Sequence, residues 1–213
     1  MNGIAINQVD STKFHGVYID NKLTWRDQII YTSKKVSKNK GILSKLKHYL
    51  PSNILRMLYQ ALILPHLNYC SIVWSGTYQS YLDPLNVLQK RVIRHIAHAA
   101  PRDHTSHLFK KFNLLKFNDM IRLNIAIFAF KAHNRLLPDV FNNFIVRNNY
   151  VHDYNTRHAN YAHQHFVRTN FGKFSLRNRS SKVWNALEEC IINSPTLSVF
   201  KKKIVKDLTI DYY

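Results

Sequence analysis

The chain changes its pattern early. Lys13–Ile19 is dense in strand-favouring residues and Asp20-Asn21-Lys22 is turn chemistry, so the opening reads as sheet. Gly16 inside that run predicts a bulge or a close backbone approach. From Trp25 the apolar positions recur with helical spacing. Ile29, Val36, Leu43 and Leu50 fall along one stripe at about 100° per residue. A helix is therefore predicted from about Trp25 to Tyr49, opened by a Thr24/Asp27 capping box and ended by Pro51.

Further helical patterns follow. Ile54, Leu55, Leu58, Tyr59, Leu62 and Ile63 are spaced for a second helix, with a short apolar segment at His66–Trp74. Pro84, with Asp83 as its N-cap, is expected to open a helix carrying Leu85, Leu88, Val92, Ile93 and Ile96. Thr105–Phe112 reads as a short helix and Phe117–Leu136 as a long, mostly buried one. Asn142–His165 loses the helical period, and Phe166–Leu176 is expected to supply one or two short strands. Ser180–Ile192 and Thr196–Leu208 close the chain as helices. The expected architecture is mainly α. It comprises a hairpin over 1–24, a helical domain over 25–100 and a helical C-terminal domain with short strands over 101–213.

The polar positions carry a second message. Lys34, Lys38 and Lys45 lie opposite the apolar stripe, within roughly 40° of one another. No Asp or Glu occurs between Asp27 and Asp83 to neutralise them. Lys90, Arg91 and Arg94 mark the outer side of the helix at Pro84. A lysine row is most often a solvated face, but the missing acids favour a phosphate-tracking one.

Composition sharpens this. The 213 residues hold 31 Lys and Arg against 12 Asp and Glu, a net charge of +19, with 46% hydrophobic residues. That is enough apolar material for a core, and a basic, aromatic-rich globular chain calls for a polyanionic partner, above all nucleic acid. Cys70 and Cys190 are the only cysteines, which excludes a disulfide framework or a cysteine zinc ribbon. No apolar run approaches a membrane span and the first twelve residues do not read as a secretory signal. An intracellular chain with no membrane partner is expected, with nucleus and cytoplasm not distinguished.

Catalytic chemistry is hard to find. The Asp residues are scattered singly, without the clustered carboxylates that two-metal polymerases and nucleases need. Gly-rich phosphate loops and Gly-x-Ser-x-Gly are absent. The His pairs 95/98, 104/107 and 163/165 lack Cys or Glu partners, so packing or surface roles outweigh zinc.

Several segments, in order, resemble one family. Phe14-His15-Gly16-Val17-Tyr18-Ile19-Asp20, Leu23-Thr24-Trp25 and Ser37–Leu43 are similar to the region just past the catalytic palm of non-LTR (LINE-type, jockey-like) retrotransposon reverse transcriptases. So are Leu58–Ile63, Pro65–Trp74 and Leu88–Arg94, which resemble the thumb. Leu108–Leu115, Leu137–Phe141, Tyr154–Arg157, Arg168–Asn170 and Val183–Leu187 resemble the post-thumb region. The resemblance implies a thumb that tracks an RNA–DNA hybrid or DNA without reading sequence, through Lys34, Lys38, Lys45, Lys90, Arg91 and Arg94. It implies a primer-grip-like hairpin at Phe14, His15 and Gly16. Arg157 and Arg168, with Tyr154 and Trp184, are either contacts to single-stranded nucleic acid or, for Trp184 above all, core and local pairing. The Tyr/Phe-Ala-Asp-Asp motif that holds magnesium and performs synthesis in that family is not present. The expectation is a truncated reverse-transcriptase-like protein that binds nucleic acid, needs no cofactor and does no catalysis alone. A separately made palm-containing chain is a further expected partner. The competing reading is a non-catalytic helical protein-interaction module or an inert transposon remnant.

The opening hairpin carries its own expectation. A lone two-stranded hairpin is marginal in water, so the first residues are expected to be loosely held or to pair with another chain.

Overall fold

The computed structural model describes residues 8–151, 159, 161–210 and 212. Two short strands, β1 (Ser11–Phe14) and β2 (Val17–Asp20), precede a succession of helices. These are α1 (Arg26–Leu46), α2 (Ser52–Leu62), α3 (Leu64–Asn68), α4 (Ser71–Trp74) and α5 (Gln79–Ala97). After them come α6 (Ser106–Lys111), α7 (Phe117–His133), α8 (Asn170–Phe174), α9 (Leu176–Asn185), α10 (Glu189–Ile192) and α11 (Leu197–Thr209). The fold is mainly helical with one antiparallel hairpin near its start, as the hydrophobic periods require. Among the described residues no helix is long and apolar enough to cross a membrane.

The chain divides into two compact units. The first is Met1–Cys70 with Thr77–Asp103, and the second is Ser71–Gly76 with His104–Tyr213. One passage between the units falls between Asp103 and His104. The six residues Ser71–Gly76, expected inside the helical domain of 25–100, belong to the second unit.

In the first unit, α1 packs on α5 along the predicted stripe. Ile29, Val36 and Leu43 are buried with Leu55, Tyr59, Ile63, Leu67, Leu85, Val92, Ile93 and Ile96. Buried Tyr59 accepts a hydrogen bond from the Gln89 side-chain amide at 2.9 Å, and burial pushes its hydroxyl up to about 12. The hairpin is held by the helices. Val17 is buried, Tyr18 N donates to Gln28 Oε1 at 3.0 Å, and Tyr69 Oη donates to His15 O at 2.7 Å. Packing against α1 and the bond from Tyr69 support this two-stranded ribbon.

Two local expectations are corrected here. The turn of the hairpin is His15-Gly16, with φ of 45° and 81°, so the Gly16 run is a two-residue connection of the I′ kind and not a bulged strand. The start of α1 is held not by a Thr24/Asp27 box but by Asp20, whose carboxylate accepts from Thr24 N, Thr24 Oγ1 and Trp25 N at 2.7–2.9 Å. Those bonds fix Leu23 and Trp25 at positive φ. Partial burial raises the Asp20 pKa, and the three donors outweigh it, leaving the carboxyl below its ordinary value.

Pro84 does not open α5. The helix starts five residues earlier, and Pro84 sits inside it, where it has no N–H to donate to the Ser80 carbonyl one turn back.

The second unit is built on α7. Ala126, Ala129, Phe130, Trp184, Leu187, Ile191, Phe200, Ile204 and Leu208 form its core, with Phe130 and Phe200 rings 4.4 Å apart. Trp74 is fully buried and stacks on Phe117 at 6.0 Å. Phe166–Leu176 forms α8 and the start of α9, where short strands were expected. Strand-like pairing in this region, among the described residues, is one antiparallel bridge between Arg147 and Ala162.

Candidate nucleic-acid interface

The lysine row survives folding. Lys34, Lys38 and Lys45 are all exposed on α1, and among the described residues none of them forms an ion pair. Gly41 lies on the same face between Lys38 and Lys45, with nothing within 4 Å of where a Cβ would stand. Lys34 lines a groove of about 550 Å³ between α1 and α5, with Arg26, Ile30, Ser37, Tyr81 and Pro84 around it. An approaching phosphate chain would meet three unpaired ammonium groups on a smooth helical surface.

On α5, Lys90 and Arg91 are exposed. Arg94 is half-buried, its Nε donating to Asp103 O at 2.8 Å, so it is already partly committed. Phe14, His15 and Gly16 form the exposed tip of the hairpin, with the Phe14 and His15 rings edge-on at 4.3 Å. Arg168 is exposed. Arg157 lies outside the described residues. Trp184 is buried against Phe200 and His133, so its core role is the one the fold uses.

Two features of the first unit escaped the linear reading. Lys13 Nζ lies 5.5 Å from the Tyr18 ring centre and 5.4 Å from that of Tyr31, and Lys35 Nζ lies 5.6 Å from Tyr31. These contacts hold two further cations beside α1 without neutralising them. Lys40 of α1 and Lys47, the residue just past its end, also act on His95 of α5. The i, i+7 spacing of Lys40 and Lys47 was visible in sequence, but the crossing of α1 and α5 that presents His95 to them was not.

His95 gives the charge cluster a pH signature. Burial, then Lys47, then Lys40 hold its imidazole below the ordinary 6.5. The unfolded chain therefore takes up that proton at higher pH than the folded chain, so stability falls as pH drops below about 6.5. His133 in the second unit adds the same sign, through burial and then Arg147. Thermal melting at about pH 5.5 is expected to give a lower Tm than at about pH 7.5, and His95→Gln is expected to shrink the difference. An undiminished difference in the variant would assign the effect elsewhere.

Among the described residues no three His, Cys, Asp or Glu side chains are grouped to hold a metal ion. No protein-family model, no curated protein and no solved structure matches this chain.

Proposed function

We propose that the chain binds nucleic acid without regard to sequence, as the thumb and post-thumb parts of a retrotransposon RNA-directed DNA polymerase, and does not itself polymerise. The observation that carries this reading is the exposed Lys34–Lys38–Lys45 face, set in a stretch without a carboxylate from residue 28 to 82. The ordered resemblance of the segments from Lys13 to Leu187 supports the family assignment. Phosphate contacts from lysines position a duplex and carry no sequence information, so hybrid and DNA duplexes are both suitable partners.

Fluorescence anisotropy with a labelled primer–template RNA–DNA hybrid, repeated across salt concentrations, tests it. Each neutralised phosphate contributes about −0.9 to the slope of log K against log salt. The expected slope is about −3 or steeper, one phosphate for each of the three lysines. A flat dependence would remove the phosphate-binding reading and turn the search to protein partners.

A further inference from the structure

The second unit carries a basic surface that the lysine row does not include. From Tyr154 to Leu187 the sequence has no Asp or Glu, against six Lys and Arg at 157, 168, 173, 177, 179 and 182. Arg179 is spent internally, donating to Ile72 O at 3.1 Å and to Ser75 Oγ at 2.7 Å. Arg177 is exposed but donates to Asn143 O at 2.8 Å. Arg168 and Lys173 are exposed on α8 and its approach.

Two aromatic rings stand among these cations. Phe166 is 86% exposed and Phe171 is 61% exposed. Neither ring stacks on another among the described residues. Phenylalanine has no polar atom that favours water, so two such rings within six residues form an apolar patch with an unmet partner.

The local backbone holds them on one small loop. Thr169 caps α8, its Oγ1 accepting from Gly172 N at 3.2 Å. Gly172 sits so close to Val167 that an added Cβ would fall 2.8 Å from the Val167 Cβ. Phe166 directly precedes one partner of that contact and Phe171 directly precedes the other. Arg168 and Lys173 directly follow them.

We propose that Phe166, Arg168, Phe171 and Lys173 bind single-stranded nucleic acid, with unpaired bases stacking on the two rings and phosphates held by the two cations. The absence of carboxylates selects a polyanion. The rings select unpaired bases, because the faces of paired bases are already stacked on one another. Phenylalanine offers no donor or acceptor to a base edge, so the site is sequence-tolerant.

The test uses the full chain, a labelled dT oligonucleotide and a blunt DNA duplex of equal length, both read by anisotropy at low salt. Phe166→Ala with Phe171→Ala is expected to weaken single-strand binding roughly thirtyfold or more and to leave duplex binding within about twofold. Phe166→Trp with Phe171→Trp is expected to keep or raise single-strand affinity. Phe166→Leu with Phe171→Leu, equally apolar but without a π face, is expected to behave like alanine. Leucine variants that bind like the parent, or binding of the parent to phosphatidylserine vesicles in place of the oligonucleotide, would overturn the proposal. So would a parent chain that leaves the oligonucleotide unbound. Replacing Lys34, Lys38 and Lys45 is expected to weaken duplex binding strongly while single-strand binding persists, so the two sites fail separately.

Discussion

Replacing Lys34, Lys38 and Lys45 together with glutamine is expected to weaken binding to a primer–template RNA–DNA hybrid by on the order of 10²–10³-fold near 0.1 M salt. Three phosphate contacts are lost, each releasing close to one counterion, and the salt slope is expected to flatten by about 3. The fold should be indifferent, because all three side chains are exposed and glutamine keeps helix propensity. The control is the same charge change at Lys201, Lys202 and Lys203, exposed on α11 of the second unit. That variant is expected to lose far less hybrid affinity. Equal losses in the two variants would mean that binding follows net charge alone and that α1 is an ordinary solvated face.

Gly76→Ala is expected to destabilise the second unit by about 3 kcal/mol or more, while Gly41→Ala stabilises α1 by up to about 1 kcal/mol. The contrast rests on space. A Cβ on Gly76 would stand 2.7 Å from Phe174 O and 3.3 Å from Val73 O, backbone atoms that cannot swing aside, and 3.1 Å from Arg179 Nη1. At Gly41 nothing lies within 4 Å, so alanine only reduces the entropy of the unfolded chain. Urea unfolding followed by tryptophan emission reads the Gly76 variant, since Trp74 is buried two residues away, and far-ultraviolet circular dichroism across the same titration reads the Gly41 variant. The crowding at Gly76 also disturbs Arg179. Burial lowers that guanidinium to about 10, and it holds the Ser71–Gly76 segment through Ile72 O and Ser75 Oγ. A Gly76→Ala chain as stable as the parent would show that this segment yields easily.

What was legible in sequence was whatever a single period determines. The stripe Ile29, Val36 and Leu43 became the buried face of α1, and its opposite face kept Lys34, Lys38 and Lys45 in water. Trp184 shared a helical side with Leu187 and Ile191, and all three are buried. What was not legible depended on contacts between distant residues. Asp20 holds the turn that leads into α1 because the hairpin delivers its carboxylate to Thr24 and Trp25, with no Thr24/Asp27 box formed. Pro84 stayed inside α5 because packing of Leu82 and Leu85 extends the helix through it. His95 meets Lys40 and Lys47 only where two helices cross. Phe166 and Phe171 looked like strand residues, and only their exposure on a turn and short helix marks them as a surface.

The course of the chain between units has a consequence for how such a protein can be cut, copied or recombined. The backbone leaves the first unit after Cys70, returns at Thr77 and leaves again after Asp103. No single breakpoint therefore yields two self-sufficient pieces. A gene ending at Asp103 would still encode Trp74, but without the Phe117 ring that covers it, and one beginning at His104 would encode Arg179 without Ile72 and Ser75. Any lineage that keeps one unit in working order is under pressure to keep the other, so the two units are heritable only as a pair.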